Sequence, residues 1–251
     1  MKKNLIYFFF LAVFAACKKE NPTPVVPIAP NGKVQISVSN EVDGQGLEMG
    51  KMKYTNAAGN SFSVNLLKYY ISNIVFTKAD GSEIALNNYN LIDASDSLTA
   101  NIQADSLPNG NYSSVKFFVG VDKPRNHNGA QTGDLDPSKG MIWTWNTGYI
   151  FFKHEGQFVD SSGATKPLLF HFGTDAALVP IELPLGSKGL DVKGDQRKLN
   201  LRLNINSLYT SPNNVNFNDD NNRQSVGVKD FLWLSTMQQN FGDAFAVKII
   251  Q

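Results

Sequence analysis

The sequence predicts an all-β protein, an antiparallel β-sandwich of Greek-key/immunoglobulin-like or cupredoxin-like type with one C-terminal helix. Three observations lead there. From Lys33 onward apolar residues recur mostly at period two, which in an extended chain puts them on one face. The runs are separated by Gly, Asn, Asp and Pro clusters that suit hairpins and turns, and one window alone steps at helical spacing. Val34, Ile36 and Val38 open the series, followed by runs from Val64 to Phe76 and from Tyr89 to Ile92, with the turn Ala79-Asp80-Gly81-Ser82 between them. Pro108-Asn109-Gly110-Asn111 leads into Val115, Phe117 and Val119. Strands are then expected over Met141 to Phe152, Leu168 to Phe172, Leu178 to Leu183 and Leu199 to Ile205, with Ser161-Ser162-Gly163 as a further turn. Ser211 to Asn222 reads as a polar, exposed, mobile loop, whose Asp219-Asp220 pair offers too few oxygens for a calcium ion. Between Lys229 and Phe245, the residues Phe231, Leu234, Met237, Phe241 and Phe245 line one side of a helix, with Asp230 as N-cap and Gly242 as stop. Such a stripe reads as core.

The chain has 251 residues, 42% of them hydrophobic, enough for one sizeable core. Its 23 basic and 22 acidic side chains give a net charge of +1, so there is no basic stripe to replace phosphate counterions, and nucleic acid is not an expected partner. One cysteine excludes an internal disulfide framework, a thiolate zinc site and an iron–sulfur cluster. That cysteine ends a basic start (Met1, Lys2, Lys3), an apolar run from Leu5 to Phe14, and Ala15-Ala16. The run is shorter than the roughly 20 residues a membrane-spanning helix needs. Small residues ahead of Cys17 resemble the lipobox of bacterial lipoproteins, with Phe14 where leucine is usual; an ordinary signal peptide with a chance cysteine is the alternative. The expected division is therefore residues 1–16 as lipoprotein signal peptide, 17–32 as lipidated Cys17 and a proline-rich tether, and 33–251 as the β domain. Loss of 1–16, with Lys2 and Lys3, leaves 21 basic against 22 acidic groups. Lys18-Lys19-Glu20 resembles the charged export tags of Bacteroidetes surface lipoproteins. The expected place is the outer membrane, reached through the lipid, facing the periplasm or the cell surface.

Neither GxGxxG, GxxxxGK nor GxSxG occurs, and no enzymatic activity is expected. With thiols gone, metal ligands fall to other side chains. His127 lies in a loop and His154 follows the predicted Met141 to Phe152 strand; for both, a surface role stands beside the ligand role. His171 alternates with Phe170 and Phe172, so if those two enter the core it faces solvent or a site. In an extended strand Met141, Trp143, Trp145 and Thr147 share one face, and Asp134, Asp136 and Pro137 build the turn that fixes its entry. Two indoles side by side suit a core or a carbohydrate-stacking platform.

The runs Phe118-Val119-Gly120-Val121-Asp122, Gly129 to Pro137 (GAQTGDLDP), Gly140-Met141-Ile142-Trp143-Thr144-Trp145, Gly148-Tyr149-Ile150 through Glu155-Gly156, and Phe170-His171-Phe172-Gly173 resemble the MbnP-like copper-binding proteins. Lys68-Tyr69-Tyr70-Ile71-Ser72-Asn73 and Asn240-Phe241-Gly242-Asp243-Ala244-Phe245 agree with the same pattern. The resemblance implies a secreted β-rich protein that binds copper(I), or is oxidised by a diheme cytochrome peroxidase-like partner that converts tryptophan to kynurenine. Carried onto this sequence, Trp143 or Trp145 is the modified residue and His171 the ligand, with His154, His127 and Met141 as further candidates and Asp134, Asp136, Tyr149 and Glu155 in supporting motifs. His154 stands where the family more often has an aliphatic residue, and the relatives' histidine set is not reproduced clearly. A glycan- or protein-binding lipoprotein and a structural envelope protein are the alternatives.

Overall fold

A computed structural model describes residues 31–144, 146–220, 225–226 and 231–250. Strand β1 (Gly32–Val42) buries Val34, Ile36 and Val38 and turns their neighbours outward, and β2 (Gln45–Gly46) folds back on its end. The short ladder of β3 (Tyr54–Thr55) and β4 (Ser61–Phe62) precedes β5 (Leu66–Lys78), which β6 (Glu83–Ala85) and β7 (Tyr89–Asp93) flank. Strand β8 (Asn101–Leu107) crosses to β1, and β9 (Gly110–Val119) returns to β5. A crossover then carries helix α1 (Lys123–Asn126) and two 3-10 turns, Gly133–Leu135 and Pro137–Lys139. It delivers β10 (Ile142–Thr144), paired with β11 (Gly148–Val159), and then β12 (Thr165–Gly173), β13 (Val179–Pro184), β14 (Leu190–Val192) and β15 (Gln196–Asn204). Helix α2 (Ser207–Thr210), β16 (Ser225–Val226), helix α3 (Phe231–Ala244) and β17 (Phe245–Ile250) close the chain.

The smaller sheet runs β17, β15, β1 and β8; the larger runs β13, β9, β5, β11, β12 and β16. They face each other across an aromatic core. Phe245 of β17 meets Phe117 of β9 at 5.4 Å and Tyr69 of β5 at 6.1 Å between ring centroids, and the Tyr69 hydroxyl donates to Asn40 Oδ1 of β1 at 2.7 Å. Helix α3 inserts Phe241 against Phe152 and Phe172, at 5.2 and 5.1 Å. The chain is all-β, sandwich-like and closed by a C-terminal helix.

Four details differ from expectation. Strands β1 and β15 are parallel, Lys33 opposite Gln196 and Glu41 opposite Asn204, as are β12 and β16. A parallel neighbour needs a long crossover instead of a hairpin, and the whole chain between β1 and β15 serves as one. The run Met141 to Phe152 is two strands, because Thr144 Oγ1 accepts from Thr147 N at 3.1 Å and Gly148 takes φ +86° to turn the chain. Met141, Trp143 and Thr147 therefore do not share one strand face, Met141 preceding β10 and Thr147 lying in the turn; Trp145 lies outside the described residues. Gly242 does not stop α3, which runs to Ala244, while Phe245 already begins β17 and Asp230 lies outside the described residues. Lastly, the Asn-rich segment is not wholly exposed. Val215 and Phe217 are buried, and Phe217 packs on Tyr209 at 4.8 Å and on Phe62 and Phe158.

Gly156 marks the tightest approach in the larger sheet, since a Cβ there would lie 2.0 Å from the Ser63 carbonyl oxygen. Backbone cannot yield as a side-chain tip does, so Gly156→Ala is expected to lower the unfolding free energy by about 3 kcal/mol. Gly46→Ala, with open space around it, is expected to change it by less than about 0.5 kcal/mol. Equilibrium urea unfolding followed by circular dichroism measures both.

Candidate functional site

Strand alternation sends Tyr69, Phe152, Phe170 and Phe172 into the core, and Lys68, Lys153 and His171 to the opposite face of the larger sheet. In register these three form a row across β5, β11 and β12, Lys153 facing Lys68 on one side and His171 on the other. Three groups that carry or accept positive charge in one row repel each other unless compensated. Asp93 lies 3.0 Å from Lys68, and Glu155 Oε1 lies 3.3 Å from Lys153 Nζ and 2.9 Å from His171 Nε2. Burial and the Lys153 charge hold His171 below its usual range against the pull of Glu155. Glu155 is pushed up by its own burial, but the His171 hydrogen bond and Lys153 outweigh this and keep its carboxyl below the ordinary value.

The crossover covers part of this face and is fastened side chain by side chain. Asp122 caps α1, accepting from Arg125 N, and its other oxygen accepts from Asn73 Nδ2 at 2.7 Å and the Tyr89 hydroxyl at 2.9 Å. Asn126 is buried: its Oδ1 accepts from Tyr149 N and its Nδ2 donates to Asp175 Oδ1, both at 2.7 Å. Asp134 Oδ2 accepts from Leu91 N at 2.9 Å, and the Tyr149 hydroxyl donates to the Leu135 carbonyl at 2.5 Å. Asp136 takes up Ser138 N at 2.8 Å as the cap of the second 3-10 turn, and those Ser138 hydrogen bonds hold its carboxyl below the usual range. Lys153 Nζ donates to the Gly140 carbonyl at 3.4 Å. Met141 follows, 1% exposed, and then half-buried Trp143.

Trp143 meets β12 at Gly173. A Cβ on Gly173 would lie 2.9 Å from the indole, so the ring edge rests where only glycine leaves room. Gly173 is two residues from His171 along β12, on the same strand face. Gly173 and Glu155 are the partners that matter here: Glu155 stands in the supporting motifs of the resemblance, and Gly173 is visible as the last residue of Phe170-His171-Phe172-Gly173.

The other two histidines lie elsewhere. His127 ends α1, its Nε2 3.0 Å from Asp175 Oδ1, on the side of the crossover tied down by Asn126. His154 is not at a strand end: β11 continues to Val159, and the imidazole is wholly buried between Leu67 and Phe170 in register. Its Nε2 lies 3.0 Å from the Ser63 carbonyl, which can only accept, so Nε2 carries the hydrogen; Nδ1 then accepts from the Tyr209 hydroxyl at 2.6 Å. Both nitrogens have protein partners, and burial pushes the pKa down to about 4. His154 is thus a neutral core residue and no metal ligand in this arrangement.

The sequence model of the MbnP family matches residues 31–228. This chain belongs to the MbnP family. No curated protein matches it. A solved structure to which it is similar is MbnP from Methylosinus trichosporium, at 15% identity and a TM-score of 0.48, covering 70% of this chain and 76% of that one. MbnP membership supports metal binding at the level of the family. Against that, the three histidines of this MbnP chain do not converge, and among the described residues no three His, Cys, Asp or Glu side chains form a group that could hold a metal. The described residues do not fit a three-histidine centre.

His154 sets a pH dependence. The unfolded imidazole, near 6.5, takes a proton before the folded one near 4 does, so its contribution is complete above pH 6.5 and is lost as pH falls toward 4. From pH 7 to pH 5 the loss is expected to be about 2 kcal/mol. His154→Gln is expected to be less stable at pH 7 and to lack that slope, as read from urea midpoints at the two pH values; an equal slope in the variant would place the proton uptake elsewhere.

Proposed function

We propose that this protein is a non-enzymatic, copper-binding member of the cell envelope, lipid-anchored at Cys17 in the outer membrane and facing the periplasm or the cell surface, with His171 as its imidazole donor. The observation that carries this reading is the half-buried Trp143 ring on Gly173, two residues along β12 from His171, on a face that combines an imidazole, an oxidisable indole and a carboxylate. Glu155 holds the His171 ring in place by its hydrogen bond, as an outer-shell carboxylate does for ligating histidines. Bound copper(I) would add a soft cation that accepts few donors, imidazole and thioether among them. A diheme peroxidase-like partner that oxidises Trp143 or Trp145 to kynurenine belongs to the same proposal, and a half-buried indole on an outer face suits an oxidant that docks from outside. The stacking-platform alternative gains nothing from Trp143, whose ring edge is pressed on backbone instead of standing free.

Copper(I) competition titration of the purified protein tests the metal. His171→Ala is expected to weaken binding by about 10–100-fold, the range that loss of even an outer-shell partner reaches, while His154→Gln is expected to bind as the parent does. Unchanged stoichiometric copper in His171→Ala would remove His171 from the site. Intact and tandem mass spectrometry of protein from its native host is expected to show the kynurenine mass increment on Trp143 or Trp145; unmodified indoles at both positions would overturn the partner reading.

A further inference from the structure

The proposed site leaves unexplained a titratable pair that is wholly buried among the described residues. Tyr209 of α2 and His154 of β11 are both 0% exposed, joined by a hydrogen bond of 2.6 Å from the phenol to Nδ1. Around the phenol stand Phe217, Phe170 and Phe62, at 4.8, 5.6 and 5.8 Å between centroids. Phenylalanine rings resist oxidation, so this shell keeps out water and radical-quenching partners without competing for an electron. A path outward exists: Phe170 and Phe172 both pack on Trp233, at 6.0 and 5.9 Å, and Trp233 of α3 is half-buried. Tyr209 and Trp233 are thus one ring apart, the first sealed in the core and the second reaching toward the surface.

We propose that Tyr209 and His154 form a proton-coupled redox pair that stores an oxidising equivalent delivered at Trp233 by a high-potential one-electron oxidant. The step balances within the pair. One electron leaves the Tyr209 phenol through Phe170 and Trp233 to the oxidant, which is reduced by one electron. The phenol O–H bond breaks and its proton passes to His154 Nδ1, so a neutral phenoxyl and an imidazolium result. The imidazolium keeps its Nε2–H on the Ser63 carbonyl and donates Nδ1–H back to the phenoxyl oxygen, so no buried donor is left without an acceptor. Reduction returns the proton along the same bond. A phenol without a base would have nowhere to send its proton in a shell of hydrocarbon; the neutral His154 accepts it, and the hydrogen bond back to the phenoxyl oxygen and that to the Ser63 carbonyl offset part of the cost of the buried imidazolium. The pair does not depend on a metal at His171.

The test uses the metal-free protein with a ruthenium(II) polypyridyl photosensitiser and a cobalt(III) quencher, read by transient absorption and by electron paramagnetic resonance after freezing. The parent is expected to yield a long-lived neutral phenoxyl radical that forms more slowly in deuterium oxide. Among eight tyrosines, Tyr209 is identified by loss of that signal in Tyr209→Phe, and 3-fluorotyrosine placed at position 209 is expected to alter its hyperfine pattern even if Tyr209→Phe fails to fold. His154→Gln is expected to slow radical formation by about an order of magnitude, equivalent to about 1.4 kcal/mol in the barrier. An unchanged radical in folded Tyr209→Phe, an unaltered hyperfine pattern with the fluorinated ring, or equal rates and isotope effects in parent and His154→Gln would overturn the proposal.

Discussion

The buried amide of Asn126 is the fastening on which the outer face depends. Its oxygen takes the backbone N–H of Tyr149 at the start of β11, and its nitrogen holds Asp175 just beyond β12, so one side chain ties α1 to two strands. Gly148 lies against that amide so closely that a Cβ would come within 2.3 Å of Oδ1. This contact decides where the β10–β11 turn lies, and hence where Trp143 lands on Gly173. A buried amide that satisfies a backbone donor is costly to remove, because the donor it leaves behind has no water to turn to. The placement of the tryptophan is therefore a property of the crossover as a whole.

Two polar arrangements divide the larger sheet between them. On the outer face, Lys68, Lys153 and His171 are balanced by Asp93 and Glu155 under partial solvent, where charge is tolerated and exchangeable. On the core face, His154, Tyr209 and the Ser63 carbonyl form a closed neutral chain in which each hydrogen has an acceptor. The two lie on adjacent residues of β11, His154 and Glu155, yet face media of very different polarity. Period-two alternation alone separates them.

Much of the sandwich was legible because alternation translates directly into burial, as in Val34, Ile36 and Val38 or Phe170 and Phe172 about His171. Strand β8 drew no expectation because its buried Ile102, Ala104 and Leu107 are embedded among Asn, Gln, Asp and Ser, which dilute the apolar alternation. The β10–β11 turn escaped because Trp-Asn-Thr-Gly continues an apolar run with the right parity and only Gly148 betrays the bend. His154 was misplaced for a different reason. Lys153, Glu155 and Gly156 look like turn chemistry, and the groups that satisfy the imidazole, Ser63 and Tyr209, are 91 and 55 residues away. No local pattern records partners brought together by the fold. The family was legible because its short motifs fall on the crossover and on the strands it covers.

The position of β1 has a mechanical side. It is the first strand among the described residues, yet it lies inside its sheet, parallel to β15 on one edge and antiparallel to β8 on the other. A pull applied through the preceding segment acts along the strand axis and loads both ladders in shear, so their hydrogen bonds must give way together instead of unzipping singly. A domain loaded at that end would thus resist through two ladders at once, one parallel and one antiparallel.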